Sequence, residues 1–172
     1  AGNQLLAIDD QIDLTTNQES QVINAKGKKL IPGLIDALVH ISGGGGEGGF
    51  HTRTPQMSLT QATTSGVTTV VGALGTDDVS RSLEDLLAKA YALETEGISA
   101  FIHTGSYQVP VQTLTGSIRR DLMLIPKVIG VGELALSDHR GSHPSAEELT
   151  RVAVDCRVGG MLAGKKGSIF LH

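Results

Sequence analysis

His40, Glu133 and His172 each stand at the C-terminal end of a separate apolar segment. Imidazole and carboxylate are the groups with which catalytic zinc sites hold the metal while leaving a position for water. Water bound there has its pKa lowered to about 7, which provides hydroxide at neutral pH. A single histidine is more often a hydrogen-bonded core or loop residue. Three candidate ligands on three strand ends form a constellation that chance placement explains poorly. Glu133 sits inside the apolar run Val128 to Leu136. A carboxylate buried there without a partner would cost several kcal/mol or take up a proton. It therefore calls for a cation, either a metal or a lysine or arginine side chain.

Other polar residues cluster at the same ends. Asp36 and a glycine-rich loop holding Glu47 accompany His40, and Gly75-Thr76-Asp77 closes the second segment. His103, Thr104 and Tyr107 close the third, and Asp138-His139-Arg140 follows Glu133. Arg140 has the planar fork that grips a carboxylate at two points, or it is an ordinary exposed arginine. Tyr107 can donate to a developing oxyanion, or it is a packed aromatic. Gly43 to Gly46 is either a surface loop or a close backbone approach to a ligand. Gly159 to Lys166 has the G-x-x-x-x-G-K spacing, but Lys166 stands where Ser or Thr must bind Mg²⁺. It also follows a helix and precedes a strand, the reverse of a phosphate-binding loop, which is excluded. Cys156 lies on a helix face and reads as core.

The elements that must position these groups are legible. Apolar strands are expected at Leu34–Val39, Val67–Gly72, Ile98–His103, Val128–Gly132 and Ser168–His172. Their near-continuous apolarity and spacing of about 30–40 residues fit a parallel βα arrangement. In such folds function gathers at the C-terminal strand ends. Thr54-Pro55 predicts a helix start with Gly66 as its stop. Ser82 opens a helix that presents Leu83, Leu86, Leu87 and Ala90 and ends at Gly97. Ser145 and Glu148 form a capping box before Leu149, Val152, Ala153 and Cys156. A shorter helix is expected over 117–125. Residues 1–30 differ, with short strand-like pieces at 5–8 and 21–24, read as a sandwich-edge β segment.

Two architectures accommodate five strands. One is an open doubly wound sheet. The other, favoured here, is α/β with the first five βα strands of a TIM-like (β/α)₈ barrel, truncated, since a closed barrel takes roughly 200 residues or more. The chain stops on Phe170-Leu171-His172, inside an apolar strand, and begins without Met. The expected division is therefore 1–30, a β-sandwich part, and 31–172, the N-terminal part of the barrel.

The chain has 172 residues, 40% of them hydrophobic, and a formal net charge of -4 without a lysine or arginine run. A disordered chain, a dedicated nucleic-acid binder and a membrane-surface binder are all disfavoured. No apolar stretch is long enough to span a bilayer and no signal peptide is evident. With one cysteine, an internal disulfide is impossible, which fits a cytoplasmic setting.

Ile31-Pro32-Gly33-Leu34-Ile35-Asp36, then Val39-His40, resembles the first barrel strand of amidohydrolase-superfamily enzymes. Gly43-Gly44-Gly45-Gly46-Glu47, Val71 to Asp77, and Gly130 to Arg140 narrow the resemblance to isoaspartyl (β-aspartyl) dipeptidases over residues 30–172. The resemblance implies a TIM-like barrel and a β-sandwich built partly from the N-terminus. It also implies two zinc ions bridged by hydroxide, and hydrolysis of small dipeptides linked through an aspartyl β-carboxyl. By matching position, His40 would be a first-strand metal ligand, Glu133 would bridge both metals and His172 would bind the second. Glu47 would take the substrate α-amino group, Arg140 its α-carboxylate, Thr76 would help hold the substrate and Tyr107 would polarise the scissile carbonyl. Such a metalloprotease would be a homo-oligomer at full length.

This sequence departs from the family at one ligand, because the His-x-His of the first strand is Leu38-Val39-His40. The family's later strands supply a further histidine and an aspartate, so the chain by itself is expected to be inactive. The alternatives are a non-catalytic amidohydrolase-like remnant that binds peptides or partners, its site impaired by Leu38, and a complete α/β protein that binds a small anion at its glycine loops.

Overall fold

The computed structural model describes residues 4, 5, 7–12 and 21–172. The chain divides into two compact units, Ala1–Pro32 and Gly33–His172. In the first unit the described residues form no strand, and Lys26-Gly27 makes a turn. The strand pieces anticipated at 5–8 and 21–24 are therefore not seen as strands. Leu6 and residues 13–20 of that segment lie outside the described residues. Leu5, Ile8, Val22, Ile23 and Leu30 are all at least 75% exposed.

The second unit is a five-stranded parallel sheet in the order β1-β2-β3-β4-β5, curled as half of a TIM-like barrel with helices between the strands. The strands are β1 (Leu34–Val39), β2 (Val67–Gly72), β3 (Ser99–Thr104), β4 (Val128–Leu134) and β5 (Ser168–Leu171). The helices are α1 (Leu59–Thr63), α2 (Leu83–Glu96), α3 (Ile118–Leu124) and α4 (Ala146–Leu162). Because sequence neighbours are also sheet neighbours, all strand ends meet at one rim. Among the described residues no helix is long and apolar enough to cross a membrane.

The helix opened by Ser82 begins and ends as expected, the 117–125 helix matches its expected extent, and the helix opened by Ser145 starts as expected but runs through Gly159, its expected stop, to Leu162. Ser82 and Ser145 accept from the backbone N–H three residues on, and Glu148 completes the box at α4. Gly97, at φ +116°, ends α2 in the left-handed conformation that suits glycine. Ser117 caps α3. The first helix differs. It starts at Ser58, which forms a capping box with Gln61, and not at Thr54-Pro55. Thr54 is committed elsewhere, with its amide donating to Gly44 O and its hydroxyl accepting from Gly44 N. A local cap signal lost to a tertiary bond. β4 also runs two residues beyond the expected Gly132, so Glu133 lies within the strand.

The core is filled by Leu86, Ala90 and Leu93 of α2, Val70, Ala100, Ile102, Val128 and Val131 of the sheet, and Leu122 and Cys156 of the next layer. Cys156 is fully buried, donates to Ser168 O at 3.2 Å, and has its thiol pushed up to about 11 by burial. Gly159 and Gly160 serve packing. A side chain at Gly159 would come within 3.1 Å of Leu122, and one at Gly160 within 2.7 Å of the Gly167 backbone.

Lys165 supplies a C-cap that no sequence pattern announces. Its ammonium donates to Leu122 O, Ile125 O and Val128 O at 2.7, 2.8 and 2.8 Å. These are carbonyls at the end of α3 and the start of β4, and a cation there also complements the helix dipole. Lys165→Met is expected to lower stability by roughly 2 kcal/mol, since charge-assisted bonds contribute about 1.5–3 kcal/mol and water re-solvates part of the loss. Urea unfolding checks this, and an unchanged midpoint would show the carbonyls to be satisfied without the lysine.

Candidate active site

The rim is built from the residues that immediately follow or end each strand. His40 follows β1, with Nδ1 2.9 Å from Ala73 O. Nδ1–H donates to that carbonyl, so Nε2 presents its lone pair inward. Glycines on both sides make room for the ring. A Cβ on Gly44 would lie 2.9 Å from His40 Cδ2, and one on Gly75 3.0 Å from Cε1 and Nε2.

Glu133 is 4% exposed and, among the described residues, has no lysine or arginine partner. Its Oε1 lies 2.7 Å from His172 Nδ1, and its Oε2 lies 3.8 Å from His40 Nε2. The second gap is too long for a hydrogen bond, and Oε2 is buried without a partner. The structure thus brings together His40, Glu133 and His172. Leu38 lies on β1 two residues before His40 and is half-buried.

Tyr107 lies against this cluster. Its ring stacks on His172 at 5.2 Å and carries the Arg140 guanidinium 5.2 Å from its centroid. Burial first, and then the Glu133 charge, raise its phenol above the usual range. The hydroxyl therefore keeps its proton at neutral pH and can donate it to an oxyanion. The Thr76 hydroxyl is buried close to Glu47 and Tyr107 without completing a hydrogen bond to either.

Arg140 and Glu47, expected to take opposite ends of one ligand, are paired with each other at 3.0 Å. The Glu47 carboxyl is held below its usual range, chiefly by its own backbone N–H. Arg140 is also gripped on two sides by Asp138, through Nε to Oδ1 at 2.8 Å and Nη2 to Oδ2 at 2.5 Å. Asp138 raises the guanidinium pKa, so the fork stays charged.

Two groups outside the predicted set shape the rim. Asp138 reaches His172 Nε2 as well, at 3.3 Å. Arg81 donates to Ser42 O, and to Gly44 O and Thr54 O at 3.1 Å each, clamping the glycine loop that bears Glu47. The opposite charges of Asp138 and Arg140 two residues apart were a readable signal. Nothing local could pair Arg81 with a carbonyl 39 residues away.

Asp77 anchors the same corner. Hydrogen bonds from Ser80, then the Arg53 charge, lower its carboxyl to about 2 from an ordinary 3.8. A depressed folded pKa gives stability that is fully present above the unfolded value and lost as pH falls through the folded one. The 76–81 turn is therefore expected to loosen between about pH 4 and pH 2. Asp77→Asn should remove that part of the acid transition in a pH series of urea midpoints. Identical acid slopes in both proteins would refute it.

A cleft of about 430 Å³ opens beside the rim, lined among others by Glu47, Phe50, Thr76 and Val79. It touches Glu47 and Thr76 but not His40, Glu133 or His172.

No family profile matches the sequence. A crystal structure of β-aspartyl dipeptidase from the thermophilic, keratin-degrading Fervidobacterium islandicum AW-1 is similar to this chain, at 62% identity and a TM-score of 0.81. A second structure of that protein, in complex with the dipeptide β-Asp-Leu, matches equally. This chain is a homologue of the β-aspartyl dipeptidases, within the amidohydrolase superfamily. The match covers 82% of this chain and 38% of the relative, so the dipeptidase homologue spans well under half of the protein it resembles.

The donor chemistry fits the zinc that this family implies. Among the described residues no group of three or more His, Cys, Asp or Glu side chains already stands at coordinating distances. In the dipeptidase homologue His172 and Glu133 close directly on each other. Yet the orphaned Oε2 and the Nε2 lone pair facing it are 3.8 Å apart. Two ligands of one tetrahedral zinc, at bond lengths near 2.1 Å, stand about 3.4 Å apart. His40 Nε2 and Glu133 Oε2 are the atoms that would hold a cation there.

Proposed function

We propose that this chain carries the metal and substrate-recognition half of a zinc-dependent β-aspartyl dipeptidase. The observation that carries the reading is Glu133, a buried carboxylate between two imidazoles with one oxygen unpartnered. His40, Glu133 and His172 would hold the metal, which when bound supplies an activated water and Lewis-acid polarisation. A complete site would take two zinc ions.

The chain's own residues account for recognition. The Glu47–Arg140 pair opens to admit a zwitterionic end, with the substrate ammonium going to Glu47 and its carboxylate to Arg140. Each charge then keeps a partner, so ion pairs are exchanged and none is lost. Thr76 offers its unbonded hydroxyl to the same end. Tyr107, kept protonated, donates to the scissile carbonyl oxygen as charge develops there. The exposed apolar side chains of Leu5, Ile8, Val22, Ile23 and Leu30 suit a β-sandwich part. A cytoplasmic, homo-oligomeric full-length enzyme belongs to the same reading.

The test is binding by the 172-residue chain, since Leu38 in place of a ligand leaves hydrolysis by it expected to be undetectable. Zinc retained after dialysis, with β-Asp-Leu bound by calorimetry more tightly than α-Asp-Leu, supports the proposal. A chain that binds neither zinc nor dipeptide refutes it. Dipeptide binding without zinc would favour the non-catalytic remnant instead.

A further inference from the structure

Among the described residues the Asp138 carboxylate is the acidic group that touches both Arg140 and His172. Its Oδ1 accepts from the backbone N–H and the Nε of Arg140, both at 2.8 Å. Its Oδ2 accepts from Arg140 Nη2 at 2.5 Å and lies 3.3 Å from His172 Nε2. Its side chain is 13% exposed. Both of its partners contact the Tyr107 ring, Arg140 as a cation over it and His172 as a stacked imidazole. Asp138 therefore ties together the two groups that lie against that ring.

From this geometry we infer that Asp138 is a positioning residue that couples the metal-binding imidazole to the substrate-carboxylate clamp. The inference rests on the reading above and extends it to a residue which that reading does not use. The physical reason lies in the two ring nitrogens of His172. Nδ1 faces Glu133 and is the nitrogen available to a cation. A cation at Nδ1 would take the place of whatever proton faces Glu133, and the Asp138 carboxylate beside Nε2 then orients the ring from its other side. The same carboxylate holds two edges of the Arg140 fork, so the guanidinium plane is set before a ligand arrives. Arg140 Nη1 then remains for exchange between Glu47 and the ligand. One side chain thus fixes both the ligand orientation at the metal and the angle of the clamp.

The alternative role for Asp138 is as a competitor that fills the Arg140 fork until a substrate carboxylate displaces it. The two roles predict opposite changes. Zinc affinity, by competition with a chromophoric chelator, and β-Asp-Leu affinity, by calorimetry, are measured for the parent chain, Asp138→Ala, Asp138→Asn and Arg140→Ala. Under the inference Asp138→Ala weakens zinc about 10–100-fold, the usual loss when a carboxylate behind a metal-bound histidine is removed. It also weakens the dipeptide, whereas Arg140→Ala weakens the dipeptide alone. Asp138→Asn keeps the size and one acceptor oxygen, and it serves if the alanine variant does not fold. One amide oxygen cannot serve both sides, so at least one affinity falls about tenfold.

Zinc affinity within twofold of the parent in both Asp138 variants overturns the inference. Tighter dipeptide binding in Asp138→Ala overturns it as well, in favour of the competitor role. A parent chain that binds no zinc sinks the underlying reading and the inference with it, an outcome separable from the first two because it appears before any variant is made.

Discussion

Replacing Glu133 by glutamine is expected to abolish zinc binding while leaving the fold as stable as before or more so. The acid sits in β4 at 4% exposure with one oxygen unpartnered. Removing a charge from water costs several kcal/mol, and imidazoles 2.7 and 3.8 Å away recover only part of that. Glutamine keeps the shape and loses the charge. Its amide can donate to His40 Nε2, whose lone pair points inward because Nδ1–H is committed to Ala73 O. An orphaned acceptor thereby becomes a donor with a partner. As a zinc ligand, though, an amide is far weaker than a carboxylate, and the affinity is expected to drop by more than about 100-fold, beyond the 10–100-fold typical of changes behind the ligands. Chelator competition and a thermal melt on the same samples give both numbers. A melting point lowered by many degrees, with zinc affinity intact, would mean that Glu133 is a structural acid and that the hydrolase reading has lost its centre.

Asp121→Ala should be the most destabilising single change in the barrel unit, at roughly 3–5 kcal/mol. Asp121 is fully buried on α3. Its Oδ2 accepts from Thr104 Oγ1 at 2.6 Å and Leu114 N at 2.9 Å. Its Oδ1 accepts from Thr115 N at 2.8 Å and Thr115 Oγ1 at 2.7 Å. Alanine strands four donors at once, two of them backbone amides. The loop that loses its anchor runs from the end of β3 to α3 and carries Tyr107, so the damage reaches the site. Asp121→Asn keeps one oxygen and should cost about half as much. Urea unfolding of both variants checks the order, and a loss under about 1 kcal/mol for alanine would mean that water replaces the carboxylate and the loop stands on other contacts.

Much of this molecule was legible because the signals are local. Strand positions follow from runs of apolar residues whose every side chain must be covered. Helix starts at Ser82, Ser117 and Ser145 follow from a hydroxyl three residues from the amide it caps. The candidate ligands were found because chemistry in a parallel sheet collects where strands end. Thr54 misled because its cap chemistry is real but was recruited by Gly44, across a loop that the sequence does not show closing. The N-terminal strand pieces show the same limit. Their apolar, β-branched composition is a local preference, and strands form only where another chain segment supplies the hydrogen bonds.

By itself the sequence determined the parallel βα order, the buried acid in β4 and the histidines after β1 and β5, since each depends on residues near one another along the chain. Only the tertiary structure decided that Asp138 bridges Arg140 and His172, that Arg81 clamps the glycine loop and that Glu47 and Arg140 neutralise each other before any ligand arrives. Asp138 and Arg140 are two residues apart, but the other pairings join residues from different loops, with Glu47 and Arg140 separated by 93 positions. Their partners are set by how the sheet curls, and distance in space is information that a linear pattern does not carry.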